Sequence, residues 1–127
     1  MFIVYILQQF ADEGKRPLGS GQHKKPCPIK GLAHLTGGGY IENIPRSLPE
    51  NCGAVVHWGS WPIPPIFKFV QECGQIDWKE MARIFNLGNG MIVIVSPDNV
   101  KAFQKMIAEN TWVIGEVTPG EHKVRME

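Results

Sequence analysis

Apolar and polar positions along the chain fall into short blocks. Met91 to Val95 is uninterrupted, β-branched and apolar, the pattern of a strand buried on both faces. Upstream, Trp78, Met81, Ala82 and Phe85 recur at helical spacing. Asp77 precedes them as a cap, with Glu80 three positions on. Downstream, Ser96-Pro97-Asp98 predicts a helix start: a capping hydroxyl, proline at the first position, then acid in the first turn. Val100, Phe103, Met106 and Ile107 supply that helix's apolar face, and Trp112 to Val117 a last strand. Thr118 to Glu127 is a polar tail that frays or adds a short edge strand. At the other end, Phe2, Ile3, Ile6, Leu7 and Phe10 fall at helical spacing, so Met1 to Ala11 predicts a helix closed by Gly14. Ile29 to Leu35 predicts a strand, Tyr40 to Arg46 a short helix limited by Pro45 and Pro49, and Ala54 to Val56 a short strand. Pro64-Pro65 opens a helix that ends at Gly74. The resulting order is helix, strand, short helix, strand, two helices, strand, helix, strand. It predicts an α/β (α+β) fold, a mixed β-sheet with packed helices, in one domain over residues 1–127.

Three stretches depart from this patterning. Lys15 to Pro28 mixes glycine, proline and basic residues, and predicts a flexible surface loop. The second stretch is Gly31-Leu32-Ala33-His34-Leu35-Thr36-Gly37-Gly38-Gly39. Three consecutive glycines suit a backbone that turns sharply or approaches a ligand closely, and exposed amides in such a turn make an anion-binding concavity. One reading is a phosphate-handling loop with His34 and Thr36 at its mouth and Arg46 nearby; the other is a tight structural turn over a buried His34. The third stretch is Asn86-Leu87-Gly88-Asn89-Gly90. Either Gly88 ends a helix and Gly90 opens a strand, or the loop lies beside the glycine run and presents Asn86 to a polar ligand.

Composition narrows the function classes. A 127-residue chain that is 43% hydrophobic and 20% charged is long enough for a real core. The formal charge of +1 gives no general pull toward nucleic acid or membrane. No apolar run is long enough to span a bilayer, and the first ten residues lack the basic leader of a signal peptide. Cys27, Cys52 and Cys73 are odd in number and widely spaced, which argues for unreactive thiols in a reducing cytoplasm. Of the four histidines, only His34 lies in a chemically suggestive context; His23, His57 and His122 predict exposed positions. No pair has metal-ligand spacing on one element, so no protein-bound metal is expected. Neither a nucleophile elbow nor a Walker loop occurs.

Several spaced motifs occur together: the His34-Leu35-Thr36-Gly37-Gly38-Gly39 run, Glu42-Asn43-Ile44-Pro45-Arg46, Leu48-Pro49-Glu50, and Trp61 with Pro64-Pro65-Ile66-Phe67. Met81-Ala82-Arg83, Phe85-Asn86-x-Gly88-x-Gly90-Met91 and the ending Trp112 to Val117 complete the set. From about Ile29 to Val117 the chain closely resembles the C-terminal domain of the phosphoribosylformylglycinamidine cyclo-ligase family, also called aminoimidazole ribonucleotide synthetase. The resemblance implies a role in purine biosynthesis. ATP and Mg2+ activate the formyl oxygen of formylglycinamidine ribonucleotide as a phosphate ester, and ring closure then expels phosphate. It implies a cytoplasmic homodimer whose site lies between this domain and an N-terminal domain that carries most of the nucleotide and metal site. Carried over by position, His34 is the candidate for proton transfer, while Thr36, Gly37, Gly38 and Gly39, supported by Asn43 and Arg46, face substrate and phosphate. Asn86, Gly88 and Gly90 form the second loop. The N-terminal domain is not in these 127 residues, so the chain is expected not to turn over by itself and to self-associate through the surface that domain would cover. Asn89 and His57 are unusual choices against the family pattern. The alternative is a non-catalytic binding or assembly domain that keeps the fold.

Overall fold

In the computed structural model, the described residues are 3–8, 29–107 and 110–127. The predicted Lys15–Pro28 loop, His23 and Cys27 lie outside them. Among the described residues, six strands form one mixed sheet in the order β2-β4-β1-β5-β3-β6. They are β1 (Ile3–Gln8), β2 (Ile29–His34), β3 (Cys52–Val56), β4 (Met91–Val95), β5 (Thr111–Pro119) and β6 (Val124–Met126). The described residues also form α1 (Gly39–Asn43), α2 (Pro65–Gly74), α3 (Trp78–Ile84) and α4 (Val100–Met106).

The N-terminal segment corrects the sequence expectation. Residues 3–8 are a strand, not part of a helix over Met1 to Ala11. β1 pairs in parallel with β4 on one side and with β5 on the other. A short apolar run satisfies helical spacing and strand burial equally, so periodicity does not separate them. Two neighbouring strands that need a partner decide the matter. The Trp112 to Val117 strand extends to Pro119, and the polar tail adds β6 as an edge strand beside β3.

β4 shows why the sheet has two cores. Ile92 and Ile94 point into the larger one, with Ala33, Leu35, Tyr40, Trp61, Met81 and Ile114. Val93 and Val95 point the other way, onto Val100 and Phe103. Alternation along a fully buried strand supplies both faces. The helix after β4 departs in two details from expectation. Pro97–Asn99 is a 3-10 turn, and α4 proper starts at Val100. Ser96 caps it through its carbonyl, which accepts from the Asn99 amide at 2.9 Å, and not through its hydroxyl. Met106 is exposed because it falls on the flank of the stripe, while Ile107 packs on the core.

α3 begins as its sequence predicts: Asp77 Oδ1 accepts from the Lys79 amide at 2.8 Å. α1 and α3 lie against each other on the larger core, while pairing of β2 with β4 places the end of one strand beside the start of the other.

Candidate functional site

The two glycine-bearing loops are neighbours. His34 pairs with Met91 across β2 and β4, and just beyond, the Leu35 amide donates to the Gly90 carbonyl at 3.0 Å. The antiparallel pairing brings the exit of β2 and the entry of β4 to one edge of the sheet, a proximity that one-dimensional patterning did not contain.

The first loop leaves β2 with His34, Thr36 and Gly37 exposed, so His34 is not the buried histidine of the alternative reading. Gly38 and Gly39 turn through left-handed backbone, at φ 94° and 51°. A Cβ on Gly39 would run into the Ala82 carbonyl at the end of α3, so this glycine permits α1 to touch α3. Gly37 faces open space. Among the described residues, neither the Gly37 nor the Gly38 amide donates to a protein acceptor.

Asn43 fixes the shape of this loop from below. Only 4% exposed, it donates through Nδ2 to the carbonyls of Gly39 (2.8 Å), Gly37 (3.2 Å) and Thr36 (3.4 Å). Its Oδ1 accepts from Arg46 Nη1 at 3.3 Å. Exposed Arg46 also lines a groove of about 330 Å3 with Lys30, Ser47, Leu48, Pro49 and Ile94. His34, Thr36 and Gly37 lie outside that groove, so the loop presents an open surface, not a closed pocket.

The second loop is as firmly held. Asn86 Oδ1 accepts from the Gly88 amide at 3.1 Å, closing a local turn. Leu87, fully buried, adopts left-handed backbone at φ 48°, and its carbonyl accepts from Trp61 Nε1 at 3.0 Å. A Cβ on Gly88 would meet the Pro64 ring. Trp61 to Pro64 is therefore a cradle for this loop as well as a helix entry. Trp61 in turn stacks on Trp58 at 6.2 Å and tilts against Tyr40 at 5.6 Å. The Asn86 carboxamide is half-buried, and its Nδ2 has no protein acceptor among the described residues.

Two residues absent from the sequence-based candidates join the loops. Tyr40 donates its hydroxyl to the Asn86 carbonyl at 2.8 Å, and Asn89 Nδ2 donates to the Tyr40 hydroxyl at 2.7 Å. Burial pushes the Tyr40 hydroxyl far above its ordinary range, so it stays a donor at any physiological pH. The available signal was Asn89, a polar residue on the approach to an apolar strand. Of the other histidines, His57 is exposed at the end of β3, and His122 lies within 2.9 Å of the Pro49 carbonyl. Cys52 is buried and Cys73 exposed. Among the described residues, no three His, Cys, Asp or Glu side chains gather as a metal site.

Sequence comparison decides what kind of domain carries these loops. Residues 22–127 match the family described as AIR synthase related protein, C-terminal domain. The chain belongs to that family. It is 50% identical over 100 residues to a phosphoribosylformylglycinamidine cyclo-ligase of Thermoanaerobacter sp. (strain X514), covering 76% of this chain and 30% of the relative. It is 48% identical over 99 residues to the enzyme of that name from Bacillus cytotoxicus, covering 76% and 28%. To the chloroplastic one of Arabidopsis thaliana it is 46% identical over 96 residues, covering 73% and 25%. The chain thus spans between a quarter and a third of the length of these relatives. The family match starts at residue 22, so β1 lies ahead of it while occupying an interior position in the sheet.

Proposed function

We propose that this chain is the C-terminal portion of a phosphoribosylformylglycinamidine cyclo-ligase. In this reading residues 1–127 form one domain that supplies the glycine-rich wall of a site completed by a separate N-terminal portion. The observation that carries the reading is the pairing of family membership with an exposed loop that Asn43 holds rigid from beneath. The Thr36 hydroxyl and the Gly37 and Gly38 amides hold the substrate phosphate, with Arg46 adding charge from the flank. Held donors of this kind stabilise charge without reorganising, which is what phosphoryl transfer asks of a protein. Gly39 sets the turn, and Asn86, Gly88 and Gly90 shape the adjoining wall. His34, exposed at the loop mouth, takes up or releases a proton during ring closure.

ATP enters this proposal as the second substrate, bound mainly by the N-terminal portion. Mg2+ would be held mainly there as well; among the described residues no three His, Cys, Asp or Glu side chains gather. Cytoplasmic placement belongs to the proposal too; among the described residues no helix is long and apolar enough to cross a membrane.

Binding, not turnover, is the activity to measure in the chain by itself. In calorimetric titration with formylglycinamidine ribonucleotide, the wild-type chain is expected to bind. Thr36→Ala and Arg46→Ala each weaken binding by about tenfold, the worth of one charge-assisted hydrogen bond. A folded wild-type chain that takes up no ligand at millimolar concentration would sink the reading.

A second reading, an assembly domain, has its own observation. α2 turns Ile66 and Phe69 outward, 59% and 61% exposed, while Phe67 and Val70 pack inward. Exposed large apolar side chains on one helix mark a surface that another protein surface covers. Sedimentation across a concentration series is expected to show self-association that Phe69→Lys abolishes. A strictly monomeric wild type at every concentration would remove this reading.

A further inference from the structure

Tyr40 and Asn89 have no part in the roles assigned above, yet both are fully buried and polar. Their hydroxyl and carboxamide lie between the two loops, and Asn89 Oδ1 has no hydrogen-bond partner among the described residues. Burying polar groups is unfavourable unless they are paired, and an apolar pair of similar shape would pack here with no orphaned acceptor. Packing alone does not account for them.

We infer that Tyr40 and Asn89 form a latch that makes the Thr36–Gly39 loop and the Asn86–Gly90 loop one unit, so that occupancy of the first is transmitted to the second. The transmission part rests on the reading of Thr36–Gly39 as the ligand loop. Tyr40 is the first residue after the glycine run, so any shift of Gly38 and Gly39 moves its ring. Its hydroxyl then moves against the Asn86 carbonyl, which also accepts from the Asn89 amide at 2.9 Å. A second arrangement is available at the cost of one hydrogen bond. With the Asn89 carboxamide turned over, Oδ1 accepts from the Tyr40 hydroxyl and the Asn86 carbonyl keeps only the Asn89 amide. Two discrete hydrogen-bond patterns of the same three residues are what a coupled element requires. Tyr40 and Asn89 are positioning residues, since neither is exposed to touch a ligand.

The test uses the full chain with Tyr40→Phe and the double variant Tyr40→Phe/Asn89→Leu. The single variant orphans the Asn89 carboxamide and loses stability; the double removes the polar groups together and regains it. Amide hydrogen exchange is followed at Gly39, which donates to Thr36, and at Asn89 or its replacement, which donates to Asn86. In the wild type the two amides are expected to show matched protection. In the double variant, position 89 exchanges on the order of tenfold faster relative to Gly39, the worth of one buried hydrogen bond, although stability has returned. Added inorganic phosphate is expected to slow exchange at both positions in the wild type and at Gly39 alone in the double variant. Matched protection that persists in the double variant would overturn the latch and leave the pair as packing. A wild type in which phosphate slows Gly39 alone would overturn the transmission, whereas one whose exchange ignores phosphate at both positions would overturn the ligand reading of Thr36–Gly39 on which the transmission rests. The comparison without phosphate would still decide the latch by itself.

Discussion

Gly39→Ala is expected to lower stability by about 3 kcal/mol or more, while Gly37→Ala, two positions away, changes it by less than about 0.5 kcal/mol. The contrast comes from what each backbone meets. Gly39 has φ 51°, and a Cβ there would run into the Ala82 carbonyl and lie 2.9 Å from that of Phe85. Left-handed backbone costs an L-residue roughly 1–2 kcal/mol. Forcing α1 off α3 adds an overpacking term of about 1–3 kcal/mol. The neighbours are backbone carbonyls at the end of α3, which no rotamer change moves aside. A Cβ on Gly37 would meet nothing within 4 Å, and the φ there is not positive. Gly38 falls between them: its φ is 94°, but the atoms crowding a new Cβ belong to the Glu42 side chain. Urea unfolding midpoints of the three alanine variants read this order directly. Equal midpoints for Gly37→Ala and Gly39→Ala would show that α1 does not need its close contact with α3.

Asn43→Leu is expected to lower stability by roughly 2–4 kcal/mol and to release the Thr36–Gly39 loop. Leucine is close in size, so the loss is polar. Three carbonyls lose the Nδ2 donor, and Arg46 loses the Oδ1 acceptor. Gly39 is buried and its carbonyl suffers the largest desolvation penalty, whereas the exposed Thr36 and Gly37 regain water. Arg46→Ala is the control. It removes the same 3.3 Å contact from the solvent side and is expected to cost less than about 0.5 kcal/mol. Thermal unfolding of both variants, with limited proteolysis at Thr36–Gly39, checks the pair. If Asn43→Leu melts with the wild type and its loop resists cleavage, the loop is held by its glycine geometry and not by Asn43.

Several parts of this architecture are encoded locally. Asp77 announces α3, Pro64-Pro65 announces α2, and the apolar run Met91 to Val95 announces a strand buried on both faces. In each case a cap, a fixed proline φ or an unbroken β-branched run acts within a few residues, so neighbours in sequence suffice. The first strand escapes such a reading for the complementary reason. Ile3 to Leu7 satisfies both periodicities, and only the parallel pairing with β4 and β5 selects the extended form. At the candidate site, the glycine run, Asn43, Arg46 and the Asn86–Gly90 loop are visible as motifs. Tyr40 is not, because its importance lies in a hydroxyl that reaches a carbonyl 46 positions away.

Short-range stereochemistry and motif spacing were enough for the types of most elements, the family resemblance and the set of residues with chemical potential. Three facts at the site had to wait for the folded chain: the two loops adjoin, Asn43 points beneath its loop instead of outward, and His34 stands in solvent at the end of β2. They follow from antiparallel β2–β4 pairing and from the contact of α1 with α3, which join segments far apart in the chain through backbone hydrogen bonds and close packing. Such long-range choices are settled by the whole core at once, because every strand must find partners and nearly every buried polar group a bond.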